Sequence, residues 1–263
     1  MAIVGFIGTG NMGGALARAA AKSGLAEELL LANRSPEKAR RLAEELGGRA
    51  VDSREAVLHS DVLFLGVKPQ MLETLLEQIG DALGERKERQ LIVSMIAGKD
   101  LATLKKLLGA ERPILRIMPN IPVCVGAGVT LYCGSGSVTE EDKCFFRDLM
   151  AASGLVEELD EHLMEAASGV TGCGPAFAAM FVEALADGAV ACGLPRKQAI
   201  AYAAQMLLGS ARMLLESGEH PGVLKDRVCS PAGSTIQGVR KLEERAFRAA
   251  VTDAVIATWE KKF

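Results

Sequence analysis

The chain has 263 residues, of which 49% are hydrophobic and 24% are charged, and its formal net charge is −3. This apolar fraction excludes a disordered chain, and the scaling of folded surface with mass predicts that roughly 70% of the surface is buried, enough for one large domain or two modest ones. A slightly acidic chain with 4% aromatic residues lacks both a positive field and stacking platforms, which excludes nucleic acid and anionic membranes as partners.

Up to about residue 135, short apolar runs alternate with segments of helical periodicity. The runs are rich in Val, Ile and Leu without in/out alternation, which indicates a parallel sheet covered by helices on both faces. Right-handed crossovers then give an α/β Rossmann fold, doubly wound around a mostly parallel sheet. The predicted strands are residues 3–7, 29–32, 61–67, 91–96, 114–117 and 128–132, and the predicted helices are residues 13–22, 36–46, 70–83 and 101–108.

Beyond Thr139 the strand signals stop and the pattern predicts helices alone. Thr139 and Asp142 form the pattern of a capping box that opens a helix through Met150. We therefore expect a Rossmann domain over residues 1–158 and an all-α domain over residues 159–263. Its further predicted helices are residues 161–167, 175–192, 195–217, 221–228, 235–243 and 245–261.

The helical half contains more apolar surface than it can bury. The most apolar stretch, residues 175–194, contains Glu183 and Asp187 and barely reaches membrane length, so we interpret it as a helix buried in protein. Several helices are apolar on more than one face, and a domain of about 100 residues cannot cover them alone. The sequence therefore predicts self-association, as a dimer at least.

The cysteines and histidines argue against a metal site. The six cysteines include no Cys-x-x-Cys pair and the three histidines lie far apart, so the spacing of zinc ligands is absent and no metal is predicted. Scattered thiols are typical of a reduced cytosolic protein. No basic region followed by a long apolar run opens the chain, so we expect no signal peptide, no membrane span and a cytoplasmic location.

A glycine motif, GTGNMG at residues 8–13, follows the first predicted strand directly. Gly8 would permit a tight turn, Gly10 would let the backbone approach a pyrophosphate, and Gly13 would allow close contact between helix and strand. The amino terminus of the following helix offers unpaired N–H groups and a partial positive charge to phosphates. The position of the motif at the first strand–helix junction favours a dinucleotide site; the alternative is a plain tight turn.

The end of the second strand indicates which dinucleotide binds. An NAD site places a carboxylate about 20 residues beyond the glycine motif, whereas here Asn33 is followed by Arg34 and Ser35. A guanidinium and a hydroxyl are donors for a 2′-phosphate and no carboxylate repels it, so NADPH is the preferred cofactor and NADH a possible one. The alternative is an exposed Arg34, with Ser35 capping the helix that begins at Pro36.

Two further strand ends belong to the same predicted sheet edge. Gly66 and Lys68 follow the third strand, and open α/β sheets bind ligands at the carboxyl ends of their strands. Taken alone, a lysine such as Lys68 is more often just a solvated charge. The next strand ends in Ala97 and Gly98, another turn that permits close approach.

The most informative stretch of the second half is CSPAGSTIQ at residues 229–237. It places two structure breakers and three hydroxyl groups immediately before a predicted helix. Such a loop presents N–H groups and hydroxyls to an anion, for instance a small carboxylate. Ser234 and Gln237 have the spacing of a capping box, so the alternative is an ordinary helix cap.

Together these motifs resemble those of the Δ1-pyrroline-5-carboxylate reductases, over essentially the whole chain. The resemblance implies a Rossmann domain that binds NAD(P)H and an all-α dimerisation domain that interleaves with its partner. It also implies that dimers can assemble into a ring of dimers. The likeness is carried by residues 5–13 (GFIGTGNMG), 61–69 (DVLFLGVKP), 116–120 (RIMPN), 169–176 (GVTGCGPA), 183–188 (EALADG), 193–195 (GLP) and 230–235 (SPAGST).

The resemblance also implies the site residues. The substrate carboxylate would lie on the Ser230 hydroxyl and on the N–H groups of Ser234 and Thr235, with Gly233 in the same loop. Thr235 Oγ1 would face the ring nitrogen as the catalytic hydroxyl. The implied coenzyme contacts are Ile7, Gly8, Thr9, Gly10, Asn11, Met12, Asn33, Arg34, Ser35, Ser53, Gly66, Val67, Lys68, Pro69, Met95, Ile96 and Ala97.

The implied reaction is hydride transfer from NAD(P)H to 1-pyrroline-5-carboxylate, which gives L-proline in the final step of proline biosynthesis. A protonated imine needs no strong enzymic acid, so the site can act by holding the reacting carbons about 3–3.5 Å apart. Three residues depart from the family pattern. Cys173 replaces a common Ser, and with no His or second Cys beside it we expect no catalytic thiol there. Ala232 replaces a common glycine, which costs about 1 kcal/mol if φ is positive, and Arg227 replaces Asn or Gln, which brings a cation near the carboxylate.

Other functions stay open at this point. A β-hydroxyacid dehydrogenase has a similar build but uses a lysine acid/base, and residues 168–192 contain neither Lys nor His. A wider imine reductase and a coenzyme F420-dependent NADP reductase are further enzyme alternatives. A non-enzymatic alternative is a coenzyme-binding sensor without turnover. The intact loop at residues 230–235 argues against it.

Overall fold

The computed structural model describes residues 1–109 and 111–261, and within these ranges eight β-strands form one sheet. They are β1 (Ala2–Ile7), β2 (Ala26–Ala32), β3 (Arg49–Ala50), β4 (Val62–Leu65), β5 (Leu91–Ser94), β6 (Ile114–Pro119), β7 (Gly128–Gly134) and β8 (Gly154–Glu158). The strand order is β3-β2-β1-β4-β5-β6-β7-β8. Strands β1 to β6 are parallel, β7 is antiparallel to β6, and β8 is parallel to β7. The prediction of a mostly parallel, doubly wound sheet is confirmed.

Twelve α-helices complete the described chain, and the pattern at Thr139 predicts the start of one of them correctly. The Thr139 hydroxyl accepts from Asp142 N while the Asp142 carboxylate accepts from Thr139 N, so the capping box is confirmed. The helices are α1 (Asn11–Ser23), α2 (Pro36–Leu46), α3 (Ser53–His59), α4 (Leu72–Glu85), α5 (Leu101–Leu108), α6 (Glu140–Met150), α7 (Met164–Thr171), α8 (Gly174–Ala191), α9 (Arg196–Ser217), α10 (Pro221–Val228), α11 (Ser234–Glu244) and α12 (Phe247–Glu260).

Three elements differ from the predictions. Strand β8 lies beyond Thr139, where the sequence predicts helices alone; that prediction is wrong because β8 is an acidic, largely exposed edge strand without a continuous apolar run. The two-residue strand β3, at the opposite edge, is exposed as well. Helix α3 is also absent from the predictions, although Asp52 caps it by accepting from Glu55 N at 2.7 Å.

Apolar side chains cover both faces of the sheet, as continuous apolar strands require. On one face the buried rings of Phe6 and Phe64 stack with their centroids 4.4 Å apart, and Phe146 of α6 packs against Phe64. On the other face, Leu63 and Leu65 pack with residues of α3, α4 and α5 and with Met164 of α7. This rigid core fixes the carboxyl ends of the strands.

By its contacts the chain divides into two compact units. The first, which we call the sheet unit, is Met1–Gly172, and the second, the helical unit, begins at Cys173. Helix α7 therefore lies with the sheet, whereas the predicted domain boundary falls earlier, between residues 158 and 159, and stays a prediction. Residues 262 and 263, which end the predicted second domain, lie outside the described residues.

The helical unit leaves most of its apolar side chains uncovered. Helices α8 and α9 pack along each other, and Phe181 of α8 lies near Phe247 of α12, with ring centroids 5.9 Å apart. Among the described residues of this unit, the buried side chains are those of Ala186, Ala199 and Ala203. A single chain thus does not bury the 175–194 stretch, and its burial within protein stays a prediction that requires a partner chain.

One long apolar stretch spans the end of the sheet unit and the start of the helical unit, and the helical unit exposes many further apolar side chains. Residues 161–191, which include α7 and α8, are the one described stretch whose length and composition would allow it to cross a membrane, and 11% of that window is buried. Large apolar side chains with more than a third of their surface exposed are Met180, Leu185, Ile200, Tyr202, Met206, Leu208, Met213, Leu215, Val223, Val228, Leu242, Phe247, Val251, Ile256 and Trp259.

Candidate functional site

A cleft of about 1000 Å³ opens at the carboxyl ends of β1, β2 and β4 in the sheet unit. Parallel strands of this order bind ligands at that edge, on both sides of the point where the strand order reverses. Ten of the predicted coenzyme residues line the cleft: Ile7, Gly8, Gly10, Asn33, Arg34, Ser35, Ser53, Gly66, Val67 and Lys68.

The other predicted coenzyme residues lie beside the cleft rather than in its lining. Asn11 and Met12 open α1, Pro69 opens a short 3₁₀ turn, and Thr9 is buried between Gly8 and Gly10. Residues 95–97 follow β5, and Met95 donates its N–H to Leu65 O at 3.1 Å. These seven, Thr9, Asn11, Met12, Pro69, Met95, Ile96 and Ala97, remain predicted contacts.

The three glycines of the first turn serve different purposes. Gly8 has φ +98°, and a Cβ there would lie 2.5 Å from Gly66 O. A Cβ on Gly13 would lie 2.1 Å from Gly8 O, so the fold itself requires both glycines. A Cβ on Gly10 would meet no atom within 4 Å. The space above Gly10 is left open by the protein, as a coenzyme phosphate needs.

The amino terminus of α1 is prepared for an anion. Gly10 occupies the cap position with no side-chain hydrogen bond, and no acidic residue lies in the first turn. The first N–H groups of the helix are therefore unpaired, and the helix dipole adds positive potential. Thr9 Oγ1 is buried without a hydrogen-bond partner among the described residues. These features fit a pyrophosphate.

The residues after β2 present donors to the same cleft. Asn33 Nδ2 donates to Ser35 O at 3.3 Å, which shapes the turn into α2. Arg34 is exposed, lies 4.0 Å from Met71 Sδ, and forms no ion pair with any residue that the structure describes. Ser35 occupies the cap position of α2, yet its hydroxyl makes no capping bond. The Ser35 hydroxyl is thus available to a ligand. In the alternative interpretation of the sequence, this hydroxyl would instead cap α2.

Sequence reasoning missed further lining residues on α2, α3 and α4. Arg40 pairs with Glu37 and Arg54 pairs with Glu85, so the charges of these two cations are partly neutralised within the protein. The missed lining residues are Pro36, Lys38, Ala39, Arg40, Ala50, Val51, Asp52, Arg54, Glu55, Met71, Thr74, Leu75 and Gln78. The capping pattern of Asp52 and Glu55 was the signal that could have revealed those on α3.

The predicted substrate loop lies in the helical unit, between α10 and α11. Gly233 donates its N–H to Ser230 O at 3.0 Å, and Ala232 has φ +58°. Proline at the second position and a positive φ at the third are typical of a type II turn. A Cβ on Gly233 would lie 2.3 Å from Ser230 Oγ. Glycine at position 233 therefore keeps the Ser230 hydroxyl beside the start of α11.

The predicted Ser234 capping box is wrong. Gly233 is the cap residue and Ser234 is the first helical residue, because the turn at Ala232 brings Gly233 into the extended conformation at the cap. No side chain caps this helix, and its first turn contains no acidic residue. The N–H groups of Ser234 and Thr235 thus have no intrahelical acceptor. The arrangement can bind a carboxylate, and Ser234 and Thr235 are exposed.

Two other features bear on the chemistry. Arg227 is held by Glu219 through two hydrogen bonds of 2.6 Å, so its charge is shared with a carboxylate of its own unit. Among the described residues, no group of three or more His, Cys, Asp or Glu side chains is placed to hold a metal ion.

Two family models match the chain. Residues 161–262 match a family model described as pyrroline-5-carboxylate reductase dimerisation. Residues 3–98 match one described as NADP oxidoreductase, coenzyme F420-dependent.

Relatives match over nearly the full chain. Pyrroline-5-carboxylate reductase from Escherichia coli is 42% identical over 98% of this chain and 96% of its own length. Human pyrroline-5-carboxylate reductase 2 is 40% identical over 97% of this chain and 81% of its own length. The crystal structure of the Plasmodium falciparum pyrroline carboxylate reductase with NADP bound aligns with a TM-score of 0.86 and 31% identity, over 99% of this chain and 97% of that one.

Proposed function

We propose that this chain, which belongs to the pyrroline-5-carboxylate reductase family, reduces 1-pyrroline-5-carboxylate to L-proline with a nicotinamide coenzyme. The observation that carries the proposal is the identity of about 40% to named reductases over nearly the whole chain. Both parts that the reaction needs are also present in the fold. The sheet unit has a dinucleotide cleft, and the helical unit has an uncapped, hydroxyl-rich helix start.

When bound, the reduced nicotinamide supplies a hydride to the carbon of the substrate C=N bond. The chain's own contribution to binding it begins at Gly10, where open space and the unpaired N–H groups of α1 receive the pyrophosphate. Thr9 Oγ1 is buried with no hydrogen-bond partner among the described residues and offers a further hydrogen bond. Ser53 and Gly66 line the same cleft.

The preference for NADPH over NADH rests on three residues at the end of β2. Arg34 presents a guanidinium that has no carboxylate partner among the described residues, and Ser35 presents a hydroxyl that caps nothing. Asn33 stands where an NAD site has a carboxylate, so nothing at that position repels a 2′-phosphate. We therefore assign NADPH as the preferred coenzyme, with NADH as a weaker one.

The substrate is held by its carboxylate. The Ser230 hydroxyl and the N–H groups of Ser234 and Thr235 converge at the start of α11, where the helix dipole favours a negative charge. Thr235 Oγ1 then hydrogen-bonds the ring nitrogen and orients the ring. An imine nitrogen can take up a proton from solution without a strong enzymic acid, so the residues need only to orient the ring and exclude water.

The active form is proposed to be a dimer, with a ring of dimers as a possible larger assembly. The helical unit matches a dimerisation model and exposes a broad apolar face. A second copy would cover this face, including α8, whose Glu183 and Asp187 disfavour a lipid environment. The six cysteines form no disulfide, which is typical of the reducing cytoplasm, where we place the protein.

The test is an activity assay on the purified protein with both coenzymes. We expect oxidation of NADPH only when 1-pyrroline-5-carboxylate is added, with L-proline formed in equal amount. A 3-hydroxy acid with NADP, the substrate pair of the β-hydroxyacid dehydrogenases, is the comparison. Turnover of the hydroxy acid, or coenzyme binding without any turnover, would overturn the proposal in favour of a dehydrogenase or a sensor.

The role of Thr235 has a separate test. Replacement by alanine removes the hydroxyl from the ring nitrogen and should lower kcat/KM by roughly ten- to hundredfold, with the affinity for NADPH unchanged. Thr235→Ser keeps a hydroxyl and serves as the matched control, with most of the activity retained. A Thr235→Ala enzyme as active as the wild type would exclude this role.

A further inference from the structure

The motif RIMPN at residues 116–120 lies on β6 and just beyond it, and the coenzyme and substrate contacts proposed above do not use it. Arg116, Met118 and Asn120 alternate along the chain, so they lie on one face of the strand. Arg116 and Asn120 are both buried, with 5% and 8% of their surfaces exposed. Buried polar residues of this kind require partners, and here both find them on one neighbouring segment.

Arg116 holds the beginning of that segment. Its guanidinium donates to Glu165 Oε1 on α7 at 2.6 Å and to Glu161 Oε1, just before α7, at 3.3 Å. Glu161 Oε1 also accepts from Leu101 N, the first N–H of α5, at 2.7 Å. The start of α7 is thereby tied to two elements of the sheet unit.

Asn120 holds the other end of α7. Its Nδ2 donates to Thr171 O at 2.9 Å, and Thr171 is the last residue of the helix. Its Oδ1 accepts from Val129 N at 2.8 Å, so both sides of the amide are engaged. The carbonyl of Thr171 would otherwise be one of the unpaired acceptors at a helix end. Met164, the first residue of α7, is fully buried in the sheet-unit core.

We propose that Arg116 and Asn120 are positioning residues for the reaction, which hold α7 by its two ends and so set how the chain enters the helical unit. Only Gly172 and Cys173 separate α7 from α8, and α8 is the first helix of the unit that contains Ser230 and Thr235. The inference rests on the proposed function. Hydride transfer is sensitive to small errors in placement, because a displacement of about 1 Å can slow a reaction about a hundredfold.

The experiment compares variants by two measurements, the rate of hydride transfer in a single turnover and the Kd for NADPH. Glu165→Gln removes one charge pair from an exposed side chain, and Asn120→Asp places a carboxylate against the Thr171 carbonyl at constant size. Arg116→Met removes the guanidinium entirely. We expect each variant to lower the hydride-transfer rate, tenfold or more for Arg116→Met and Asn120→Asp, while the Kd for NADPH stays within twofold.

Two controls separate positioning from general loss of stability. Arg89→Met breaks another pair in the sheet unit, between Arg89 and Asp142, which does not involve α7. Ile79→Val weakens the sheet-unit core without touching a polar group. Both should keep the wild-type rate even where urea unfolding shows a loss of stability equal to that of the test variants.

The inference is overturned if the test variants keep the wild-type rate. It is also overturned if the Kd for NADPH rises in parallel with the loss of rate, which would indicate a purely structural role in the sheet unit. If Arg116→Met does not fold, Glu165→Gln and Asn120→Asp decide the question. An inactive wild-type protein would instead refute the proposed function, so the two failures are distinguishable.

Discussion

The sheet unit and the helical unit differ in how much of their apolar surface a single chain buries. The sheet unit buries Phe6, Phe64 and Tyr132 completely, and its coenzyme cleft is made from its own residues. In the helical unit the buried residues, among those described, are three alanines, while Met180, Leu208 and Trp259 are more than half exposed. A single chain is therefore sufficient to form the cleft where we propose that the coenzyme binds, whereas the helical unit, which contains the proposed substrate loop, exposes an apolar face that a second copy would cover.

The largest expected effect comes from a charge on the exposed apolar face. Leu208→Asp, or Met180→Asp, should convert the protein to a monomer and abolish reduction of the substrate, because an unpaired carboxylate cannot be buried in a dimer interface. The Kd for NADPH should stay unchanged, since that cleft lies in the sheet unit. Sedimentation gives the mass, and a fluorescence titration gives the Kd.

Leu107→Asp, on the exposed side of α5 in the sheet unit, is the matched control and should leave both mass and activity intact. A Leu208→Asp protein that stays dimeric and active would show that this face is not the interface.

Two substitutions in the glycine turn at residues 8–13 separate its role in the stability of the sheet unit from its role in coenzyme binding. Gly8→Ala forces a side chain into φ +98° and against Gly66 O, so it should lower the free energy of unfolding by about 2–4 kcal/mol. Gly10→Ala has open space and a negative φ, so it should leave stability within about 0.5 kcal/mol and weaken coenzyme binding instead. Urea unfolding and NADPH titration measure the two effects. Equal stability losses in both variants would contradict this division of roles.

Arg34 tests whether the specificity of the coenzyme cleft resides in one guanidinium. Arg34→Ala should weaken NADPH binding by about 1.5–3 kcal/mol, the contribution of a hydrogen bond to a charged group, and leave NADH binding nearly unchanged. Arg40→Ala is the control, because Arg40 lines the same cleft but is paired with Glu37. Calorimetric titration measures the affinity for both coenzymes. Equal losses of affinity for NADPH and NADH would refute the contact between Arg34 and the 2′-phosphate.

The smallest effect concerns strain in the helical unit. Ala232 adopts φ +58° and Ala246 φ +55°, both in the left-handed region that favours glycine. Ala232→Gly should stabilise the protein by up to about 1 kcal/mol, seen as a higher urea midpoint, and Ala246→Gly should behave alike. A stability loss in Ala232→Gly would mean that the methyl group makes a contact in the dimer that outweighs the strain.

Local patterns predicted most of the sheet unit. The continuous apolar strands, the helix periodicity between them and the capping box at Thr139 are all patterns of residues that are close together in the sequence. The edge strand β8 was missed because one-sided exposure removes the apolar run that identifies a strand. The Ser234 capping box was predicted wrongly because the φ of Ala232, set by the preceding turn, decides which residue becomes the cap.

The candidate coenzyme site shows the same difference between local sequence patterns and tertiary packing. Ten predicted coenzyme residues line one cleft. Each lies at the end of a strand, in the turn that follows a strand, or, like Ser53, at the start of the next helix. The parallel topology places all of these positions at one edge of the sheet. The lining residues of α2, α3 and α4, such as Lys38, Arg54 and Gln78, could not be found this way. Their presence in the cleft depends on how each helix packs against the sheet.

By itself the sequence determined the order of the strands and helices other than β3, β8 and α3, the glycines of the first turn and the hydroxyl-rich loop at residues 230–235. These features are encoded by steric and periodic preferences of neighbouring residues. Only the tertiary structure decided that the turns at Gly8 and Gly66 touch, that β7 runs antiparallel to β6, and that Arg116 and Asn120 hold α7. Such contacts join residues far apart in the chain, and the packing of the whole sheet selects them.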